Sequence, residues 1–271
     1  MRDILFNFLL VGLLFLTGCS PEPQGLEQKA PARILSLSAA ATHTLLALGV
    51  RPAAIDEYGL IVAGVDSPAV VGKGSLFSRE KVVGLGIDCA VIWYYQHDAE
   101  RELKRMGIRV EKVGPVRLEQ YPDFLMQLGR LTGKEKEAAA LSDAFRKELT
   151  MLSVSKDRTG RKIPKVMFEL YTSGRYAGDE SYIGDLVRAA GGMIPIRRTG
   201  LINAERVCQE APEVLFYVEG SGDPVRLASQ PGVSASSAVR SKRIYGVPRH
   251  LLTEGVSPLK TIQYIRERLE R

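Results

Sequence analysis

Two short stretches of this chain share one pattern: residues 78–94 read SREKVVGLGIDCAVIWY, and residues 203–218 read NAERVCQEAPEVLFYV. Each begins with a small residue suited to cap a helix, Ser78 or Asn203, and places a glutamate two positions later. Each has a second acid eight positions after that glutamate, followed by an apolar run typical of a buried strand. A helix followed by a strand therefore occurs twice, 125 residues apart, which predicts two lobes of similar construction.

Strand and helix signals alternate around the first copy. Residues 33–37 have the apolar character of a strand, Ser38 is a candidate helix cap, and Gly49 is a candidate helix end. Asp98 is expected to cap a later helix of the same lobe. This alternation predicts an α/β lobe with a mainly parallel sheet over residues 33–132.

Residues 133–157 predict one long helix between the lobes. About 20 helical residues span roughly 30 Å, so such a helix is a stiff connection rather than a flexible linker. Apolar residues recur there at a spacing of three to four, which predicts one buried stripe. They are Ala138, Leu141, Phe145, Leu149 and Leu152.

The alternation restarts in residues 158–271, which predict the C-terminal lobe. Residues 165–170 have the character of a strand, and Ser181 is a candidate helix cap. A closing helix is expected to have Ser257 as its cap and Pro258 in its first turn. The predicted fold class is therefore α/β, with two Rossmann-like lobes of mainly parallel sheets joined by one long α-helix.

The N-terminus has the pattern of an export signal. Residues 4–16 are an apolar run too short to span a bilayer but suited to the core of a signal peptide. Residues 16–19, Leu-Thr-Gly-Cys, resemble the lipobox of bacterial lipoproteins, which implies a signal peptide over residues 1–18 and a lipid on Cys19. Residues 19–32 are polar and proline-rich, which predicts a flexible tether.

Composition and charge narrow the function. Of the 271 residues, 45% are hydrophobic and 25% charged, which is typical of a globular protein with a substantial core. The net charge of +6 is scattered over helix faces, so together with export it argues against a nucleic-acid partner. Cys89 and Cys208 are placed on a strand and a helix and predict no disulfide framework. Sequence motifs of serine hydrolases, P-loops and dinucleotide sites are absent, so no enzymatic activity is predicted.

Five segments of residues 33–271 carry a family pattern: RILSLSAAATHTLLALG, EKVVGLGIDCAVI, YAGDESYIGDLVRAAGG, ERVCQEAPEVLF and SPLKTIQYI. In their order and spacing they resemble the periplasmic binding proteins of iron-siderophore, haem and vitamin B12 ABC importers. The resemblance implies a two-lobed protein that closes little on its ligand, with the long helix as its spine. It also implies an exported, lipid-anchored monomer that holds a metal chelate or corrinoid, has no cofactor of its own and delivers the ligand to an ABC permease.

The glutamates of the doubled pattern are the first candidate functional residues. Glu80 and Glu205 match the family's two glutamates that pair with arginines of the permease. The alternative is that each carboxylate only faces the positive end of its helix dipole, which stabilises a helix by about 0.3–1 kcal/mol without any partner. Their repetition in both lobes favours docking.

Ligand contacts are expected in loops that follow strands. Aromatic faces suit a flat macrocycle or a catecholate, whereas a cationic side chain suits an anionic ligand. On this basis the predicted ligand-binding residues are Tyr58, Trp93, Tyr94, Tyr95 and His97 in the first lobe and Tyr171, Arg175 and Tyr176 in the second. The alternative is that the tyrosines pack inside their lobes and that Arg175 is solvated.

Three further functions remain open. His43, His97 and His250 fall in both lobes, so binding of a free metal ion is one alternative, although no metal ligands are predicted to converge. A tetrapyrrole-metal chelatase-like enzyme is another, because such enzymes also have two α/β lobes with histidines in the cleft. A structural lipoprotein of the cell envelope is the third, but it would not need an aromatic cleft.

Overall fold

The structure is a computed structural model that describes residues 33–62, 68–114, 117–157, 162–221 and 223–271, with the backbone alone described for 153–157. The signal peptide predicted for residues 1–18, the tether predicted for residues 19–32 and the lipid predicted on Cys19 lie outside these ranges. No helix within the described ranges is both long enough and apolar enough to cross a membrane.

The N-terminal lobe is built on a parallel sheet. Among the described residues, five strands form this sheet in the order β3-β2-β1-β6-β7, and two more, β4 and β5, form a small antiparallel hairpin. The strands of this lobe are β1 (Ile34–Ser36), β2 (Ala54–Ile55), β3 (Ala69–Val70), β4 (Gly72–Lys73), β5 (Leu76–Phe77), β6 (Cys89–Trp93) and β7 (Arg109–Val113).

Two of the four α-helices of this lobe begin at serine caps. Ser38 and Ser78 each accept a backbone N–H in the first turn of their helix, as predicted. The prediction for Asp98 was wrong, because the helix begins one residue earlier at His97 and Asp98 lies inside its first turn, in an ion pair with Arg101. The helices are α1 (Ala39–Ala47), α2 (Arg79–Gly84), α3 (His97–Arg105) and α4 (Tyr121–Thr132), with 3₁₀ turns at Glu57–Ile61 and Leu118–Gln120.

The long helix α5 (Glu135–Asp157) connects the lobes and is about 34 Å long at 1.5 Å per residue. Its predicted apolar stripe is confirmed where the side chains are described. Ala138 and Phe145 are buried, and Leu141, Leu149 and Leu152 pack partly buried against the same core. The helix packs against α4 and against α6 and α10 of the C-terminal lobe.

The C-terminal lobe repeats the plan with one difference. Its described strands form a sheet in the order β10-β9-β8-β11-β12, in which β8, β11 and β12 are parallel and β9 and β10 are antiparallel. The strands are β8 (Val166–Glu169), β9 (Arg175–Tyr176), β10 (Gly200–Leu201), β11 (Val214–Val218) and β12 (Ile244–Val247). The helices are α6 (Tyr182–Ala190), α7 (Ala204–Glu210), α8 (Pro224–Ser229), α9 (Ser237–Arg240) and α10 (Pro258–Leu269), with a 3₁₀ turn at Arg249–Leu252. The mainly parallel α/β fold predicted from the sequence is confirmed.

The doubled pattern occupies the same place in both sheets. The strand that follows it, β6 or β11, lies between the first and the last parallel strand of its lobe. The backbone of the second acid makes an equivalent contact in each copy. The Asp88 N–H donates to the Arg33 carbonyl oxygen at 3.1 Å, and the Glu213 N–H donates to the Lys165 carbonyl oxygen at 2.9 Å. Each acid therefore ties its copy to the residue just before the first strand of the lobe.

The two lobes share one hydrophobic core. The larger buried cluster includes Ile34 and Val91 of the first sheet as well as Val166 and Val214 of the second. A smaller cluster around Leu103 covers the other face of the N-terminal sheet. Buried contacts that run through both lobes and the helices between them oppose large relative movement, because such movement would expose apolar surface to water.

The last helix departs from its prediction in one detail. Helix α10 begins at Pro258 as expected, but Ser257 makes no capping hydrogen bond and has a left-handed backbone conformation with φ +48°. Its hydroxyl oxygen lies 3.3 Å from Nε2 of His43 instead. Ser257 therefore links the C-terminal lobe to helix α1 of the N-terminal lobe.

Candidate functional site

A cleft of about 640 Å³ lies between the two lobes, and residues of both lobes line it. Its walls contain residues that follow parallel strands: Tyr58 follows β2, Tyr94 follows β6, and Tyr171 follows β8. Loops at the carboxyl ends of parallel strands are where open α/β sheets bind ligands. The volume is in the range of pockets for small organic ligands, about 300–1,000 Å³. The cleft is therefore the candidate ligand site.

The turn after β6 presents three adjacent aromatic side chains. The rings of Trp93 and Tyr95 are nearly parallel with centroids 6.1 Å apart, and the ring of Tyr94 meets Tyr95 edge-on at 5.2 Å. The buried Gln96 side chain fixes the turn, because its Oε1 accepts the Trp93 N–H at 2.8 Å and its Nε2 donates to the Leu37 carbonyl oxygen at 3.3 Å. In a regular strand successive side chains point to opposite faces, which would separate Tyr94 from Trp93 and Tyr95. All three line the cleft instead, because β6 ends at Trp93 and a turn follows.

The remainder of the N-terminal wall combines an aromatic ring with a cation. The Tyr58 ring is exposed, and Nζ of Lys73 lies 5.8 Å from its centroid. Oε2 of Glu57 lies 4.0 Å from the same Nζ, and both side chains are more than half exposed. Such an exposed pair is weak, so the Lys73 ammonium remains available to a ligand.

The C-terminal wall repeats this combination. The guanidinium carbon of Arg249 lies 5.0 Å from the centroid of the exposed Tyr171 ring. Tyr182 at the start of α6 and Glu254 after the 3₁₀ turn also line this wall. Burial, with a smaller contribution from Glu254, raises the pKa of Tyr95 across the cleft. Tyr95 is therefore a neutral ring at physiological pH.

Three predicted ligand residues lie outside the lining of this cleft. His97 and Arg175 are exposed at the start of α3 and on β9, and Tyr176 is fully buried in the C-terminal lobe. The hydroxyl group of Tyr176 donates to Oε1 of Gln230 at 3.2 Å. Successive side chains of a strand point to opposite faces, so the two residues of β9 reach solvent and core respectively. Full burial overturns the prediction for Tyr176, whereas the roles predicted for His97 and Arg175 stay predictions.

Among the lining residues that were not predicted, four have charged or aromatic side chains: Lys73, Tyr182, Arg249 and Glu254. Arg249 and Glu254 follow the strand β12, so the rule that selected Tyr58 and Tyr171 would have found them had it been applied to the last strand. Lys73 lies in a hairpin and Tyr182 in a helix, and neither position carries a sequence signal for a cleft.

The three histidines do not form one site. Nε2 of His43 lies beside Ser257 as described, and burial, with Lys260 as a smaller cause, lowers the pKa of His43. His97 and His250 are exposed. Within the described ranges, no three histidine, cysteine, aspartate or glutamate side chains come close enough together to hold a metal ion.

Glu80 and Glu205 occupy matching positions away from the cleft. Each is the exposed second residue of a short helix, α2 or α7, whose cap Ser78 or Asn203 accepts a backbone N–H. Neither lines the cleft. Each lobe therefore presents one exposed carboxylate at an equivalent helix start, as the doubled pattern predicts.

Comparison with known proteins places these features in context. A family model described as "Periplasmic binding protein" matches residues 34–251. The chain is 26% identical over 228 residues to a protein of Halobacterium salinarum named "Cobalamin-binding protein", which covers 79% of this chain and 61% of that protein. The chain therefore spans less than two thirds of the length of this relative.

Solved structures share the fold. The periplasmic heme-binding protein RhuT from Roseiflexus sp. RS-1 in apo form superposes with a TM-score of 0.76 at 19% identity, covering 88% of this chain and 96% of that one. The periplasmic vitamin B12 binding protein BtuF of Vibrio cholerae superposes with a TM-score of 0.73 at 17% identity, covering 89% and 97%. At these identities the likeness shows a common architecture.

Proposed function

Because this chain belongs to the periplasmic binding protein family, we propose that it is the substrate-binding component of an ABC importer for a corrinoid or an iron chelate. It captures the ligand in the cleft between its lobes and delivers it to the permease. It performs no chemistry on the ligand. The match of the family model over residues 34–251 supports the class of protein, and the cleft supports the class of ligand.

The observation that carries the ligand class is the aromatic lining on both walls. Tyr58, Tyr94 and Tyr95 are 40–58% exposed on one side, and Tyr171 is 47% exposed on the other. Aromatic rings left open to water are costly unless something covers them, and they stack on flat conjugated ligands without requiring hydrogen bonds. Haem, a corrinoid and a catecholate siderophore all present such a face. The naming of a relative as cobalamin-binding adds support for the corrinoid.

Ligand screening tests this proposal. Trp93 is the only tryptophan of the chain and lies in the cleft, so its fluorescence should fall when cyanocobalamin, haemin or a ferric catecholate siderophore binds. Ligand at 100 times its Kd should stabilise the folded protein by about 2.7 kcal/mol, which a thermal shift detects. Because these ligands absorb light, calorimetric titration is the control for the fluorescence signal. A protein that responds to zinc or manganese salts and to none of these chelates would contradict the proposal.

Delivery to the permease is assigned to Glu80 and Glu205. Support comes from their equivalent positions in the two lobes, their exposure and their separation from the cleft. A pair of carboxylates on separate lobes can bind two cationic sites of a symmetric permease at once. Such two-point binding raises the overall affinity well above that of either contact.

Lipid attachment at Cys19 would hold the protein at the membrane. The support is the lipobox pattern of residues 16–19, since acylation requires the thiol of a cysteine at this place. Replacement of Cys19 by alanine should abolish labelling by a clickable palmitate analogue in a bacterial host and release the protein from the membrane fraction. Persistent labelling of the C19A variant would contradict lipidation at this residue.

A further inference from the structure

Each lobe contains a fully buried carboxylate that holds a turn of the cleft wall. In the N-terminal lobe it is Asp56, directly after β2, and in the C-terminal lobe it is Glu169, the last residue of β8. Neither carboxylate lines the cleft. A charge removed from water persists in a fold only where hydrogen bonds or ion pairs compensate it, so the partners of these two groups are informative.

Asp56 binds the hairpin turn between β4 and β5. Its Oδ1 accepts the N–H of Gly59 at 3.0 Å, and its Oδ2 accepts the N–H of Gly74 at 3.2 Å. Gly74 has φ +56°, a left-handed conformation that favours glycine. Gly74 and its neighbours Lys73 and Ser75 all line the cleft. Asp56 therefore fixes the turn that carries Lys73 toward the ligand.

Glu169 binds the turn that carries Tyr171. Its Oε1 accepts the N–H of Gly174, which has φ +74°, at 2.9 Å. The same oxygen accepts Nε2 of Gln230 at 2.9 Å, and Oε2 forms an ion pair with Arg226 at 2.5 Å. The arrangement matches that of the other lobe: a buried carboxylate, a glycine N–H and a turn against the cleft.

Each of these turns is also connected to a glutamate-bearing helix. In the N-terminal lobe, β5 leads from the turn directly into Ser78, the cap of α2, so that Glu80 follows Gly74 by six residues. In the C-terminal lobe, the carbonyl oxygen of Gly174 accepts the N–H of Ile202 at 2.9 Å. The residue after Ile202 is Asn203, the cap of α7.

A second contact strengthens the connection in the C-terminal lobe. Gln230, a partner of Glu169, lies two residues before Gly232, whose Cα is so close to Ala204 that an added Cβ would lie 2.1 Å from the Ala204 carbonyl oxygen. Ala204 is the first residue of α7 and precedes Glu205. The Glu169 cluster thus contacts both the Tyr171 turn and, through one short segment, the start of α7.

We propose that Asp56 and Glu169 are positioning residues that couple occupation of the cleft to the order of helices α2 and α7. The inference rests on the proposed function, in which these helices dock to the permease. A ligand packed against Lys73 and Tyr171 restricts two turns that are already fixed at their glycines. The N-terminal turn leads through β5 into the cap of α2, and the C-terminal turn is hydrogen-bonded to the residue before the cap of α7, so the restriction reaches Glu80 and Glu205. The permease then meets more ordered glutamates on a loaded protein than on an empty one.

Isosteric amides test the coupling. An amide at either position keeps one acceptor oxygen but turns an NH₂ donor toward a group that also donates. Part of the hydrogen bonding that fixes the turn is therefore lost, while the shape of the side chain is kept. We would measure hydrogen–deuterium exchange of the full chain at residues 78–86 and 203–211, without ligand and with saturating cyanocobalamin or haemin. Asp56→Asn should raise exchange by about 3-fold or more at residues 78–86 alone, and Glu169→Gln should do so at residues 203–211 alone.

With ligand, each variant should lose the protection of its own helix and keep that of the other lobe. Leu103→Ala is the control for a general loss of stability. Leu103 is fully buried on α3, so its replacement should raise hydrogen–deuterium exchange across the whole N-terminal lobe. Equal exchange at both helices in wild type and both variants, or an increase spread evenly through the altered lobe, would overturn the coupling. If neither cyanocobalamin nor haemin binds to the wild-type protein, that result counts against the proposed function. The exchange measured without ligand still decides whether Asp56 and Glu169 control the order of α2 and α7.

Discussion

Lys73 and Arg249 lie on opposite walls of the cleft, and each places its cation over a tyrosine ring of its own lobe. The ring partners are Tyr58 and Tyr171, so each wall offers a flat apolar face with a positive charge at its edge. A planar ligand with anionic groups on its periphery complements this arrangement, since stacking and charge neutralisation would act together.

This geometry predicts discrimination between candidate ligands. Lys73→Gln and Arg249→Gln should each weaken binding of haemin, which carries two carboxylates, by about 10-fold, because a hydrogen bond to a charged group contributes about 1.5 kcal/mol. Binding of cyanocobalamin, whose macrocycle carries neutral amides, should change by less than about 3-fold. Calorimetric titration gives both affinities. Lys147→Gln, on the exposed face of α5, is the matched control, and equal losses for both ligands would contradict the prediction.

Tyr94 and Tyr176 should respond to substitution in opposite ways. Tyr94 is 47% exposed in the cleft, so Tyr94→Ala should lower ligand affinity by about 2- to 12-fold, the equivalent of one aromatic pair, with little change in stability. Tyr176 is fully buried, so Tyr176→Ala should destabilise the fold by about 3–5 kcal/mol. Chemical denaturation and calorimetry measure the two effects. A large stability loss for Tyr94→Ala with unchanged affinity would assign Tyr94 to the core.

Asp56 should make stability depend on pH in the acidic range. Burial, which outweighs its backbone hydrogen bonds, raises the pKa of Asp56 from 3.8 to about 6. Between these values the folded state binds a proton that the unfolded state has released, so the contribution of Asp56 to the free energy of unfolding falls as pH rises from about 4 to about 6. The difference in unfolding free energy between wild type and Asp56→Asn should therefore shrink over this range and level off above it. A difference that is constant from pH 4 to 7 would show that the pKa of Asp56 is not raised.

The fold was predicted well from the sequence because helix caps and apolar spacing indicate the same helices and strands. Ser38, Ser78 and Ser181 all cap helices as expected, and the buried stripe of α5 follows from its spacing. The errors occur where tertiary contacts decide. The Gln96 side chain is bound to Trp93 and Leu37, so α3 begins at His97 without a side-chain cap, and Ser257 contacts His43 rather than its own helix.

The sequence predicted several aromatic residues of the cleft but not the charged residues that line or support it. Aromatic residues after strands gave Tyr58, Tyr94 and Tyr171, since the rule depends only on where parallel strands end. The direction of a side chain within the two-residue strand β9 could not be derived from its sequence, which is why Tyr176 was expected in the cleft. Asp56 and Glu169 were missed because each also binds a partner that is distant in sequence: Gly74 lies 18 residues after Asp56, and Gln230 lies 61 residues after Glu169.

The doubled glutamates provide the last test. Glu80→Arg and Glu205→Arg together should set like charges against the arginines expected on the permease, and such juxtaposition costs several kcal/mol. The fold should tolerate the change, because each exposed carboxylate loses only its interaction with a short helix dipole, about 0.3–1 kcal/mol. Ligand affinity should be unchanged, since neither residue lines the cleft. Ligand-stimulated ATP hydrolysis by the reconstituted transporter should fall to its basal rate.

Two comparisons make this result specific to docking. Each single reversal should give an intermediate rate, because the other lobe still binds and two-point attachment is reduced to one point. Glu148→Arg reverses an exposed acid on α5, outside the doubled pattern, and should leave ATP hydrolysis at the wild-type rate. If the double reversal stimulates ATP hydrolysis normally, both glutamates serve only as favourable residues at a helix start. If Glu148→Arg fails as well, the loss reflects the added positive charge as a whole, and the two equivalent positions have no special part in docking.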